Sequence, residues 1–236
     1  METLSYTITI FSAIFNKPSS IPSKSDPPPR SPYKKHPQNN REPIIKTLEH
    51  LCEHFNTPTY IKHICTNIYD SVNQSKPYPQ SFQFTLLTIC LSLAYKYESD
   101  NDFLIPSQLL PLDATLTPHK IMRLELELMD LINWQINRKN SIYYIHEICN
   151  KALSGQKLNK ILNHACTLAD LTLRMENFLN ADPKTVACTC IAFALKKLGA
   201  KNSWTTEGFE RVSGLSLSSL RIAELETKYN QVISAC

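Results

Sequence analysis

Glycine is nearly missing from this sequence: four residues among 236, the first at Gly155. β-Sandwiches and doubly wound sheets need glycine in their turns, and phosphate loops need it where the main chain meets the phosphate. Nothing before Gly155 can be a GxGxxG loop or a P-loop. The shortage favours an all-helical chain that binds no nucleotide. Charge of one sign is also scarce outside a single segment. The whole net charge of +4 arises between residues 17 and 40, where Lys17, Lys24, Arg30, Lys34 and Lys35 outnumber Asp26; the remainder is neutral. A nucleic-acid binder usually carries its basic excess on the folded face, so no direct nucleic-acid partner is expected. A CxxC pair is lacking as well. The eight cysteines lie mostly in apolar runs, as free thiols packed in a reducing compartment would. Residues 6–15 are apolar, but Glu2 precedes them and no small-residue cleavage site follows. A bilayer span needs about 18 apolar residues. The chain is therefore expected to be soluble and intracellular, with no membrane partner.

Proline is plentiful where glycine is not. Pro18, Pro22, Pro27, Pro28, Pro29, Pro32 and Pro37 crowd residues 17–40 among serines and lysines. Proline fixes φ and removes a donor, so this stretch reads as an extended linker between a short apolar arm and a folded body. Ser31-Pro32-Tyr33-Lys34 within it matches a proline-directed phosphorylation site, a pattern that a tract of this composition also produces by accident. With 42% apolar and 19% charged residues, the body can bury a core.

Helical signals begin at residue 41. Ile44, Leu48, Leu51 and Phe55 form one stripe; Ile61, Ile64, Cys65, Ile68 and Val72 form the next, behind Thr57-Pro58 as cap and first turn. Residues 82–94 are apolar almost all round and predict a central, buried helix. A short helix near 107–110 and a long one over 121–132, capped by Thr117-Pro118, complete five. The pattern then recurs over 143–153, 158–179, 183–198, 205–212 and 218–233, with Asp182-Pro183 capping the third. The sequence thus predicts an all-α protein: an arm and linker over 1–40, then two tandem five-helix domains over 41–137 and 138–236.

Two runs carry a family resemblance. LSLAYKYES closes an apolar helix on Lys96, Tyr97 and Glu98, and IMRLELELMDLINWQIN carries Glu125, Met129 and Trp134. Together they resemble the signature helices of a cyclin. Arg41 and Asp70 fall in register with the arginine and aspartate of the first cyclin box. ADPKTVACTCIAFALKKLG and SLSSLRIAELETKYNQVIS resemble helices of the second. The resemblance runs from about residue 41 to 234, in look nearest D-type cyclins and the short viral cyclins, whose economy the end at Cys236 matches. Both domains are accordingly expected to be cyclin boxes.

The resemblance implies a regulatory subunit that binds and activates a cyclin-dependent kinase as a heterodimer, with no catalytic residue, cofactor or metal of its own. Lys96 and Glu125 match the pair that reaches the kinase near its mobile C-helix. Tyr97, Met129 and Trp134 match apolar positions packed against that helix. Arg41 and Asp70 match a buried pair bracing the first two helices. The substrate-recruitment patch is not preserved: Asn40 and Thr47 stand where a methionine and a tryptophan are usual, Pro43 sits in the first turn and Lys46 replaces an aspartate. No Leu-x-Cys-x-Glu motif occurs either. The alternative within the same fold is a transcription scaffold that binds without activating a kinase.

Three other motifs have sharper and plainer readings. His50-Leu51-Cys52-Glu53-His54 spells H-x-x-E-H, with His63 and Cys65 as conceivable further zinc ligands. The plainer reading is the polar face of a helix. Cys188-x-Cys190 suggests metal or redox chemistry in its sharper reading and buried packing in its plainer one, which the spacing favours because i and i+2 do not face each other on a helix. Tyr143-Tyr144 has an exposed binding pair as its sharper reading and partial core packing as its plainer one.

Overall fold

The structure is a computed structural model that describes residues 41–98, 113, 116–136, 139–152, 156–179, 181–199 and 206–234. These residues belong to one compact unit. Among them are nine α-helices and no strand. The arm, the linker and the short helix expected near 107–110 lie outside the described residues.

Helix α1 (Arg41–His54) buries Ile45, Leu48, Leu51 and Cys52. Pro43 is tolerated because first-turn N–H groups have no helical partner. The helix ends at Asn56 in the left-handed region, φ 50°, with Thr57 N–H returning to the Cys52 carbonyl at 2.7 Å. Helix α2 (Thr59–Ser75) buries the expected stripe of Ile61, Ile64, Cys65, Ile68 and Val72. Its predicted cap is corrected. The Thr57 hydroxyl makes no cap bond to α2; it accepts from the Tyr95 hydroxyl at 2.7 Å. Side-chain competition overrides the local signal here.

Helix α3 (Gln83–Glu98) is the apolar run, buried continuously from Thr85 to Tyr95. Its buried polar groups are satisfied: Thr88 donates to the Phe84 carbonyl, Ser92 to Glu125, and Gln83 takes the Tyr69 hydroxyl. Helix α4 (Pro118–Leu131) starts at Thr117, whose hydroxyl accepts from Lys120 N–H at 3.2 Å.

The second half repeats the plan. Helices α5 (Ser141–Ala152), α6 (Gln156–Leu173), α7 (Pro183–Lys197), α8 (Thr206–Ser213) and α9 (Ile222–Ser234) surround a separate core. Its centre is α7, with Ala187, Cys188, Cys190, Ile191, Phe193 and Ala194 all fully buried. Asp182 caps α7, accepting from Thr185 N–H at 2.9 Å. The helix expected over 158–179 stops at Leu173; a turn then leads to a single 3₁₀ turn, Glu176–Phe178, that drives Phe178 into the core. Thr172 bonds back to the Ala169 carbonyl at 2.7 Å, an alternative to continuing the helix. The Leu173 carbonyl freed by the break accepts from Arg41 Nε at 2.6 Å.

That bond belongs to a polar seam joining the halves. Arg41 also clamps both Asp70 oxygens, at 2.6 and 2.9 Å. Arg174 forks onto Glu49 at 3.2 and 2.5 Å. Asp170 takes Lys62 and His63, each at 2.9 Å, and the other His63 nitrogen meets the Ser141 hydroxyl at 3.2 Å. No described helix is long and apolar enough to cross a membrane.

Candidate functional site

The last turn of α3 lies against the middle of α4. Because α3 is buried almost to its end, Lys96 is the first residue of that turn whose head can leave the core. Glu125 stands four residues before Met129 on the inward face of α4, so the two meet. Lys96 Nζ lies 2.6 Å from both Glu125 oxygens, and Ser92 Oγ donates to Oε1 at 2.8 Å. The ammonium side chain is 23% exposed and the carboxylate side chain 10%. A charge-assisted pair at such a boundary is held rigid yet still reachable from outside. The neighbouring acid on α4, Glu127, faces another way: it takes Lys76 at 2.6 Å and the Tyr78 hydroxyl at 2.9 Å. Those two hydrogen bonds hold its carboxyl below the usual carboxylate range.

The three apolar positions that the resemblance assigns to the kinase interface differ from one another in exposure. Met129 is 7% exposed and belongs to the core of the first half. Tyr97 is half-buried at the core's rim. Trp134 is 42% exposed. Two consecutive left-handed residues, Asn133 at φ 52° and Trp134 at φ 57°, turn the chain out of α4, with Trp134 N–H returning to the Met129 carbonyl at 2.8 Å. The indole Nε1 donates to Asp130 at 2.9 Å. A bulky residue at positive φ is costly, and such positions concentrate at functional sites.

Beyond Tyr97 opens a cleft of about 550 Å³ between the halves. Tyr97, Glu98 and Tyr60 line one side; Asn140, Tyr143 and His146 line the other. The rings of Tyr60 and Tyr143 are 40% and 44% exposed. Burial raises the carboxyl of Glu98 and the phenol of Tyr97. Sequence reasoning missed this cleft. Tyr60 lies off the buried stripe of α2, and Tyr143 was paired with Tyr144. The pair is in fact split: the rings touch edge to face at 5.4 Å, but Tyr144 packs on the second core while Tyr143 faces the cleft.

The other sequence candidates are scattered. His50 and Glu53 form an exposed contact at 3.6 Å, and His54 sets its ring against Phe55. His63 is locked into the seam and Cys65 is fully buried, so these residues do not converge on one centre. Among the described residues no group of three His, Cys, Asp or Glu is placed to hold a metal ion. Cys188 and Cys190 are free and buried; burial pushes the Cys188 thiol up to about 11 and that of Cys190 higher still. Thiols so protonated are poor nucleophiles. Ser31 lies outside the described residues.

Comparison with known proteins follows the two halves. The family model for the cyclin N-terminal domain matches residues 10–137, and that for the cyclin C-terminal domain matches residues 142–223. The fold is similar to the X-ray structure of a viral cyclin from herpesvirus saimiri, with a TM-score of 0.70 and 16% identity, over 84% of this chain and 86% of that one. The sequence matches no curated protein.

Proposed function

The chain belongs to the cyclin family, and from that premise we propose that it is the regulatory subunit of a cyclin-dependent kinase, which it binds and activates. The observation that carries this reading is the Lys96–Glu125 pair, held at 2.6 Å at the boundary between core and solvent, in the two runs that resemble the family's kinase-binding helices. The pair performs no chemistry. It offers one set of donors and one of acceptors to a partner backbone. Trp134 supplies an exposed aromatic anchor of the type that dominates binding energy. Such a subunit acts by holding the kinase state whose C-helix is swung in. Moving a two-state kinase from about 1:99 to 99:1 needs a differential affinity of about 5.5 kcal/mol. The complex would work in nucleus and cytoplasm. A viral type of cyclin fits this reading, since a viral cyclin has the same fold.

The test is to mix the purified chain with a panel of cyclin-dependent kinases, measuring pull-down and phosphate transfer to a generic substrate. Binding with activation is expected for at least one kinase. Trp134→Ala should weaken that binding by at least about 30-fold, the loss of a hot-spot residue worth about 2 kcal/mol. Binding without activation would replace this reading with the scaffold. No binding to any kinase would refute both.

A further inference from the structure

We propose that Thr117 is a phosphorylation site for a proline-directed Ser/Thr kinase, and that the phosphate then caps α4. Thr117-Pro118-His119-Lys120 places proline directly after the acceptor and a base three residues on. Proline-directed kinases select both features, the first because a ring without N–H fits their groove, the second by charge. The sequence holds three Ser/Thr-Pro pairs, at Ser31, Thr57 and Thr117, and the structure separates the two that it describes.

Thr57 lacks the base, since Tyr60 stands three residues on, and its hydroxyl is held by Tyr95 at 2.7 Å. Thr117, Pro118 and His119 are exposed. Thr117 has φ −127° and ψ 158°, the extended conformation a substrate strand adopts. Core packing flanks the acceptor turn at Leu116, 5% exposed, and resumes in α4 at Ile121, 1% exposed, leaving residues 117–120 between them. Opening the first turn of α4 breaks the 3.2 Å cap bond and the 2.9 Å bond from Ile121 N–H to the Thr117 carbonyl, but moves no buried side chain of residues 118–120. First turns fray readily.

In the transfer, Thr117 Oγ1 attacks the γ-phosphorus of ATP. A new O–P bond forms, the bond to the β–γ bridging oxygen breaks, ADP leaves, and the hydroxyl proton passes to the kinase's base. The product sits where a side-chain acceptor already caps the helix. It adds a charge of about −1.5 to −2 and three acceptor oxygens at the positive end of the helix dipole. Helix α4 carries Glu125, so the modification strengthens the element that holds the Lys96 pair. The site stands whether or not the chain activates a kinase of its own, because any proline-directed kinase can serve.

The experiment uses the folded full chain, a purified proline-directed kinase with ATP, and phosphosite mapping by mass spectrometry. Wild type, Ser31→Ala and Thr117→Ala are compared, with a Thr-Pro-x-Lys peptide as the positive control. Ser31→Ala should still gain one phosphate, at Thr117, and Thr117→Ala should gain none in the folded body, Thr57 included. A Thr117 left unmodified while the peptide is phosphorylated, or modified only after heat unfolding, overturns the site. Phosphorylated Ser31→Ala should melt about 2–4 °C higher than the unmodified protein, the shift for about 1 kcal/mol in a chain of this size. An unchanged or lower midpoint overturns the capping role.

Discussion

Glu125 shows how burial changes the meaning of a single residue. It is 8% exposed and bonded to both Lys96 and Ser92, so it supports the fold as well as any partner. Glu125→Lys would set two ammonium groups together inside that pocket and damage the helices, which makes it a poor probe of binding. Glu125→Gln keeps the shape and the Ser92 partner but leaves Lys96 without its counter-charge. It should lower stability by about 1–3 kcal/mol, read as a shift in urea midpoint with helical circular dichroism retained before the transition. No change in midpoint would mean that the pair contributes nothing to the fold. Trp134→Ala, at a far more exposed position, should cost no more than about 2 kcal/mol. Comparing the two variants separates loss of stability from loss of binding.

At the scale of elements, helix ends decide where the chain turns. Asp182 accepts from both Thr185 N–H and Thr185 Oγ1, at 2.9 and 3.2 Å. Asp182→Ala should therefore cost about 1 kcal/mol, measured by chemical denaturation. Arg41 serves three helices at once: it opens α1, clamps Asp70 on α2 and takes the terminal carbonyl of α6. Arg41→Ala leaves the Asp70 carboxylate without a partner in a site where burial already raises its pKa. The expected loss is about 3–5 kcal/mol; a loss below about 1 kcal/mol would show that the clamp is not what braces α1. Most of this level was legible beforehand. Thr117 and Asp182 announced their caps, and α3 and α7 announced their burial by being apolar all round. The end of α6 was hidden, because the apolar spacing continues through Met175 and Phe178 while the backbone does not. There Thr172 bonds back to the Ala169 carbonyl, and the Leu173 carbonyl left open by the break is taken by Arg41, 132 residues away.

For the whole molecule, the polar seam makes stability depend on pH. Burial lowers the pKa of His63 below 6.5, against the opposing hydrogen bond and charge of Asp170. The unfolded chain then binds more protons than the fold below about pH 6.5, so stability falls as the pH drops through that value. Burial alone would raise the Asp170 carboxyl, but the bond from His63 and the Lys62 ammonium hold it below 3.8. Its contribution is present above that value and is lost as the pH falls below it. Asp70 runs the other way, since its raised carboxyl binds a proton in the fold first. His63→Gln should flatten the stability profile between about pH 7 and pH 5.5 in urea titrations, with a residual slope from His164, which burial also lowers. An unchanged slope would show that the seam histidine does not govern it.

What the sequence determined by itself is the presence of the nine described helices, their pairing into two halves and the family, because these rest on periodicity, capping residues and motifs that are local in the chain. The Lys96–Glu125 pair was legible only through the resemblance, since nothing in either run names the other as its partner. What the tertiary structure alone decided is which polar groups meet across long separations. Asp170 finds Lys62 and His63, Arg174 finds Glu49, and Tyr143 turns to the cleft while Tyr144 enters the core. Such contacts leave no periodic trace, because a polar side chain at a helix surface looks the same in sequence whether it faces water or another helix.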